Sequence, residues 1–198
     1  MWACSIPSVT GAWELISSER KGQVGRRAVV AKTFRMPDGS EAVFTVTGER
    51  GHRAVACVAL TARQTVVLAE QYRPGPERLM AELPGGGVEP GESLADGAAR
   101  ELAEETGYVP EELLYLGEMC YDGYAGMSRY YFLATGCEQR VPQQLDQNEF
   151  VTVREVALAD LVTLAMTGGM TDPGGVLLAL PYLMGDAGVR AMFAHRAG

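Results

Sequence analysis

The chain has 198 residues, a hydrophobic fraction of 47% and a formal net charge of −8. That length suffices for one domain with a good core, and the composition is that of an ordinary globular chain. No run of 18 apolar residues signals a membrane span, and an acidic balance without any basic block argues against nucleic acid as the main partner.

Residues 13–19, 27–35 and 41–47 read as strands, the last two joined into a hairpin by the turn Pro37-Asp38-Gly39. Val55 to Leu60 and Thr65 to Gln71 are apolar and β-branched around a polar turn at Thr61 to Gln64, which predicts a buried hairpin. Gln71 to Pro76 reads as an irregular loop, and Met80 to Leu83 as a short strand. Beyond the segment 82–108, Leu114 to Tyr121 and Arg129 to Thr135 read as strands. Residues 141–148 read as a mobile polar loop, followed by a strand over 150–153. Ala157 to Thr167 predicts an amphipathic helix. Asp172-Pro173 predicts an N-cap with proline at the first helical position, opening a helix over Gly174 to Leu183. Residues 186–196 predict a short last helix.

The cysteines at 4, 57, 120 and 137 show no metal-ligand spacing, and Cys57 and Cys120 lie in strand-like apolar runs, so both are expected to be reduced core residues. The N-terminal Met-Trp-Ala-Cys-Ser-Ile-Pro is too short and too uncharged for a signal peptide, so a cytoplasmic protein is expected. His52 and His195 fall in a turn and near the C-terminus and read as exposed side chains. There is no internal repeat, low-complexity segment or linker.

Residues 82–108 are the most informative stretch. They hold Glu82, Glu89, Glu92, Glu101, Glu104 and Glu105. Pro90-Gly91 ends a loop, Ser93 reads as an N-cap with Asp96 as a short capping-box partner, and Gly107 reads as the stop. A helix over Leu94 to Thr106 follows. At 3.6 residues per turn, Glu101, Glu104 and Glu105 share one face. Ala95, Ala98, Ala99, Leu102 and Thr106 share the other and can pack on a sheet. Such a face is either a solvated acidic surface or a set of hard oxygen ligands for Mg²⁺ or Mn²⁺. Gly85-Gly86-Gly87 lets the backbone approach closely, so the Gly85 carbonyl can join such a metal set.

The spacing decides between them. Gly86, five residues, Glu92, seven residues, then Arg100-Glu101-Leu102-Ala103-Glu104-Glu105-Thr106-Gly107-Tyr108 matches the Nudix box at every specified position. The chain thus resembles the Nudix hydrolases. Gln71-Tyr72-Arg73-Pro74 followed by Glu82-Leu83-Pro84-Gly85-Gly86 resembles the ADP-ribose and nucleotide-sugar branch of that family more than its MutT-like branch. In the loop at 122–128, Gly123 and Tyr124 match that branch, whereas Asp122 and Met127 depart from it.

The resemblance implies a Nudix α/β/α sandwich with a mixed sheet over residues 51–198, preceded by an antiparallel β extension over 1–50 that often packs on a second subunit. A homodimer is expected on that basis. It implies metal-dependent hydrolysis of a nucleoside diphosphate linked to another moiety, ADP-ribose first. Another nucleotide sugar, a dinucleoside polyphosphate or a modified nucleoside triphosphate is the alternative, and a sensor that binds without cleaving is a further one. Glu101 and Glu105 are the implied metal ligands, with Glu92 and Gly85 completing the set. Glu104 is a further ligand or orients the metal, and Arg100 orients a box glutamate. Glu149, directly before the strand at 150, orients or deprotonates the attacking water or is a solvated loop carboxylate. Arg73 and Arg78 either hold phosphate or are exposed arginines, and Glu82 binds substrate or pairs with one of them. Tyr124 either stacks on a nucleobase or is a core or rim tyrosine. The net negative charge is no obstacle to a phosphate substrate, because bound divalent metals reverse the local sign.

Overall fold

A computed structural model describes residues 11, 13–24, 27–48, 51–120 and 122–184. The helix expected at 186–196, Cys4 and His195 lie outside the described residues. The chain divides into two compact units, Met1–His52 with Cys120–Met127, and Arg53–Met119 with Ser128–Gly198.

The first unit is a three-stranded antiparallel sheet in the order β1 (Glu14–Val24), β2 (Arg27–Arg35), β3 (Glu41–Thr47). β1 runs further than the predicted 13–19, because it keeps pairing with β2 out to Val24 opposite Arg27. The β2–β3 turn needs Gly39, whose φ is 84°, and Asp38 Oδ1 accepts the Ser40 N–H at 2.9 Å. Ala28, Val30 and Val46 form its small core, and the rings of Trp13, Phe34 and Phe44 pack with centroids 5.1–6.1 Å apart. The end of β3 holds the loop 122–127, since Thr47 N–H donates to Tyr124 O and Thr47 O accepts the Gly126 N–H.

The second unit contains β4 (Arg53–Thr61), β5 (Thr65–Arg73), β6 (Arg78–Glu82), α1 (Leu94–Thr106), β7 (Tyr108–Val109), β8 (Glu112–Cys120), β9 (Ser128–Gln139), β10 (Thr152–Ala157), α2 (Leu158–Thr167) and α3 (Pro173–Leu183). Its sheet is seven-stranded, in the order β10-β5-β4-β9-β7, with β6 paired to β5 and β8 to β9. It is mixed, because β4 and β9 are parallel while β5 runs antiparallel to β4, β6 and β10.

Alternation along the strands builds two cores. Val55, Cys57 and Ala59 of β4, Val67 of β5, and Phe132 and Ala134 of β9 join Ala98 and Leu102 of α1. Ala56 and Val58, Val66 and Leu68, and Tyr131 and Leu133 turn the other way, onto Leu161 of α2 and Val176 and Ala179 of α3. Helices therefore cover both faces of one sheet, the α/β/α arrangement. β4 is apolar without interruption because both of its faces are covered. Among the described residues no helix is long and apolar enough to cross a membrane.

Several expectations change. The stretch 71–76 is not all loop. β5 continues through Arg73, paired with Arg78, and only residues 74–77 turn. Cys120 is exposed at the end of β8, and Cys137 on β9 is the cysteine that joins Cys57 in the core. β8 is covered less completely than its apolar sequence suggests. Asp172 makes no side-chain cap for α3. Its buried carboxylate instead pairs with Arg129 and accepts the Thr171 hydroxyl at 3.0 Å, as a buried charge is strongly destabilising when left without a partner.

Candidate active site

α1 has the bounds its caps predict. Ser93 Oγ accepts the Asp96 N–H at 3.1 Å, and Gly107, at φ 76°, ends the helix by donating to Ala103 O at 2.8 Å. Ser93 also donates its hydroxyl to Asp96 Oδ2 at 2.7 Å, so the aspartate stops at the hydroxyl, being one methylene shorter than glutamate.

The glycine turn runs beside β4. Val55 N–H and Cys57 N–H donate to Gly86 O and Pro84 O, each at 2.9 Å. By alternation Gly85 faces the other way, and its N–H donates to Glu105 Oε2 at 2.9 Å. A Cβ on Gly85 would strike Val55 O and come within 2.6 Å of Ala56 Cα. A Cβ on Gly86 would lie 2.5 Å from Glu101 Oε2. Both glycines are thus set by close approach, one to β4 and one to α1.

Arg100 gathers the other carboxylates. Its Nε and Nη2 donate to Glu92 at 2.8 and 3.0 Å, its Nη1 to Glu101 and Glu104 at 2.9 Å each, and its Nη2 to Gly87 O at 2.8 Å. That pairing lowers the Glu92 carboxyl to about 2 and raises Arg100. Burial raises Glu101 despite its contact with Arg100, with the charges of Glu104 and Glu149 adding to the rise. Glu105 is 6% exposed. Burial pushes it up to about 8, opposed by the Gly85 N–H and reinforced by Glu101, Glu149 and Glu82.

Hydrogen bonds thus tie Gly85 to Glu105 and Arg100 to Glu92, Glu101 and Glu104, while Glu82 and Glu149 lie near enough for their charges to act on Glu105. Glu149 closes a turn with Asp146, accepting its N–H at 3.0 Å and donating its own to Asp146 O at 2.9 Å. Glu82 is buried and takes a forked pair from Arg73. Arg78 turns elsewhere and donates to Gly168 O, at the C-terminus of α2, at 2.8 Å. Tyr124 belongs to the first unit, where it is 59% exposed and its N–H donates to Asp122 at 2.5 Å.

The donor set suits a hard divalent cation in kind, since buried carboxylates that raise one another's pKa are stabilised by added positive charge. Among the described residues, however, no group of three His, Cys, Asp or Glu side chains is gathered for metal binding. Arg100 stands among the glutamates, so a cation there must exchange with part of its pairing.

Two polar residues escaped the sequence reading. Gln71 Nε2 stands 3.4 Å from Glu82 Oε2, and its signal was a polar side chain in an apolar strand. Gln143 Nε2 donates to Glu105 O at 2.6 Å, and a glutamine in a polar loop offers no signal for that.

The model of the NUDIX domain matches residues 50–174. The chain is 34% identical over 152 residues to the ADP-ribose pyrophosphatase of Bacillus subtilis (strain 168), spanning 75% of this chain and 80% of that protein. It is 34% identical over 150 residues to the Methanol dehydrogenase activator of Bacillus methanolicus, again spanning 75% and 80%. A crystal structure of an ADP compounds hydrolase aligns with a TM-score of 0.75 over 88% of this chain and 96% of that one. At 20% identity that likeness is one of fold.

Proposed function

This chain belongs to the Nudix family of hydrolases, and from that premise we propose that it cleaves the pyrophosphate link of a nucleoside diphosphate joined to a second moiety, ADP-ribose first. The observation that carries the reading is the seating of α1 against the glycine turn, with Gly85 N–H on the buried Glu105 and Gly86 against Glu101. The choice of ADP-ribose is supported by the Bacillus subtilis relative.

Water attacks one phosphorus, a new P–O bond forms, and the bridging P–O bond breaks. For ADP-ribose the products are AMP and ribose 5-phosphate. A divalent ion, Mg²⁺ or Mn²⁺, would be held by Glu101 and Glu105 with Glu92, Glu104 and the Gly85 carbonyl, and when bound it neutralises the diphosphate and acidifies water. Glu149 takes the proton of the attacking water, and its loop position lets it approach the carboxylates of α1 without belonging to the helix. Arg100 orients Glu92, Glu101 and Glu104 by charge-assisted hydrogen bonds. Arg73, fixed by Glu82 and still 40% exposed, presents the rest of its guanidinium to a phosphate oxygen. Tyr124 is proposed to stack on a base, which a raised KM in Tyr124→Ala would support. The three-stranded sheet is proposed to hold a second copy, which a dimer mass in sedimentation would support.

The test is phosphate-coupled hydrolysis of ADP-ribose, GDP-mannose, a diadenosine polyphosphate and a modified deoxynucleoside triphosphate, each with Mg²⁺ and with EDTA. Metal-dependent cleavage of ADP-ribose above the rest is expected. Preference for another substrate would reassign the specificity, and tight nucleotide binding without cleavage would replace the enzyme reading by the sensor reading.

A further inference from the structure

The loop at 141–148 is not a free polar segment. Its first residues cap the C-terminus of α1. A helix leaves its last carbonyls without partners, and here the loop supplies them. Gln144 N–H donates to Glu104 O at 2.8 Å, and Gln143 Nε2 donates to Glu105 O at 2.6 Å. Arg140 and Val141 N–H groups donate to Gly107 O at 3.0 and 3.2 Å. A Cβ on Gly107 would strike Val141 O, so the glycine also admits the loop.

One of these contacts differs from the others. The second proton of Gln143 Nε2 is directed to Val151 O, at 3.3 Å. Val151 is buried and lies immediately before β10, two residues after Glu149. A single primary amide therefore ties the backbone of Glu105 to the far end of the loop that carries Glu149. An amide nitrogen with two protons can serve both carbonyls at once. The segment between the two ties is short and closes on itself through the Asp146–Glu149 turn. This side chain is thus one contact that places the segment relative to α1.

We propose that Gln143 is a positioning residue, which sets the distance between the Glu149 carboxylate and the carboxylates of α1 by bridging Glu105 O and Val151 O. The inference rests on the reading of Glu149 as the group that takes the proton of water. Gln143 touches neither substrate nor reacting atoms, and it acts through Glu149. A displacement of about 1 Å in a reacting group costs on the order of a hundredfold in rate, so loss of the tie lowers kcat far more than KM. The loop is solvent-exposed, so the cost to stability is small by comparison.

The test is a double-mutant cycle between Gln143 and Glu149. Gln143→Ala and Gln143→Met remove the donor, the second while keeping the length of the side chain. Gln143→Lys restores a donor. Each is measured for kcat and KM on the preferred substrate, for the acid limb of the kcat–pH profile, and for thermal stability, in the wild-type and Glu149→Gln backgrounds. The expected result is a kcat reduced on the order of 10- to 100-fold in Gln143→Ala and Gln143→Met, with KM within about twofold and partial recovery in Gln143→Lys. In the Glu149→Gln background the same substitutions change kcat by less than about twofold. An equal loss in both backgrounds overturns the inference and leaves the Glu149 reading intact. Wild-type kcat in both donor-less variants also overturns the inference alone. Wild-type kcat in Glu149→Gln by itself overturns the Glu149 reading, and this inference with it.

Discussion

Gly85 and Gly86 are adjacent, and alanine at each should fail in a different way. Neither has a positive φ, so backbone conformation alone does not forbid a side chain at either position. At Gly85 the added methyl meets Val55 O and Ala56 Cα, both backbone atoms of the buried strand β4. Neither can rotate away, so β4 or the turn must move. Overpacking of that kind costs about 3 kcal/mol or more. At about 2–4 °C per kcal/mol for a chain of this size, Gly85→Ala should lower Tm by roughly 6–12 °C. At Gly86 the nearest atoms to the methyl are those of the Glu101 carboxylate, at 2.5–2.6 Å, the free end of a flexible side chain. Glu101 can change rotamer at the loss of one hydrogen bond to Arg100, about 1 kcal/mol. The displaced carboxylate would then lower kcat on the order of a hundredfold. The assay is calorimetry alongside metal-dependent turnover for both variants. A Gly85→Ala protein with wild-type Tm, or a Gly86→Ala protein that keeps full turnover, would refute the argument from close approach.

Glu105→Gln should lower kcat at least about a hundredfold while the chain stays folded. In EDTA the sign of its pH effect is fixed. The folded carboxyl, raised from 4.5 to about 8, holds its proton more tightly than the unfolded one, so stability declines as pH rises from about 4.5 to about 8. Urea titrations should show that decline in the wild-type chain and a flatter profile in Glu105→Gln. Glu155 has the opposite sign. Thr65 and Tyr108 hydroxyls and the Arg63 guanidinium lower it from 4.5 to about 2, so its stabilisation is present above about 4.5 and is lost as pH falls towards about 2. Because Arg63 is 73% exposed, Glu155→Gln should cost only about 1–2 kcal/mol near neutral pH, with the difference vanishing near pH 2 in chemical unfolding curves. Mg²⁺ at about a hundredfold above its Kd should stabilise the wild-type chain by about 2.7 kcal/mol in thermal shift, and Glu105→Gln should lose most of that gain.

α1 was legible to the residue, because its caps, its apolar face and its stop are all local signals. The pairs that give the site its charge balance were not. Arg100 follows from the box, but its grip on Glu92 spans a loop whose path no periodicity reports. Arg73 and Arg78 looked alike in sequence. The strand register opposes them across the β5–β6 hairpin, yet one turns to buried Glu82 and the other to the end of α2. Asp172-Pro173 has the form of a helix start, and the helix does start there. The carboxylate was claimed by Arg129 on β9, a residue 43 positions earlier in the chain. Local pattern fixed the element in such cases, and long-range partners fixed the side chain. Cys120 was misread for a related reason, since apolar character along β8 did not reveal how little covers its end.

The parallel pairing of β4 with β9 has a consequence for how the molecule is made. Ala56 lies opposite Tyr131, about 75 residues later. The bed on which α1 rests is built from both strands, with Val55, Cys57 and Ala59 on one side and Phe132, Ala134 and Cys137 on the other. A helix of 13 residues is marginal alone in water, so α1 has little reason to persist before that bed exists. A nascent chain that has reached residue 120 carries the entire glutamate motif and only half of its seat. Contacts of such long separation form slowly, so the working helix should be among the later parts to become rigid. A fragment ending before β9, or the motif grafted onto another scaffold, should therefore carry the right letters and no activity.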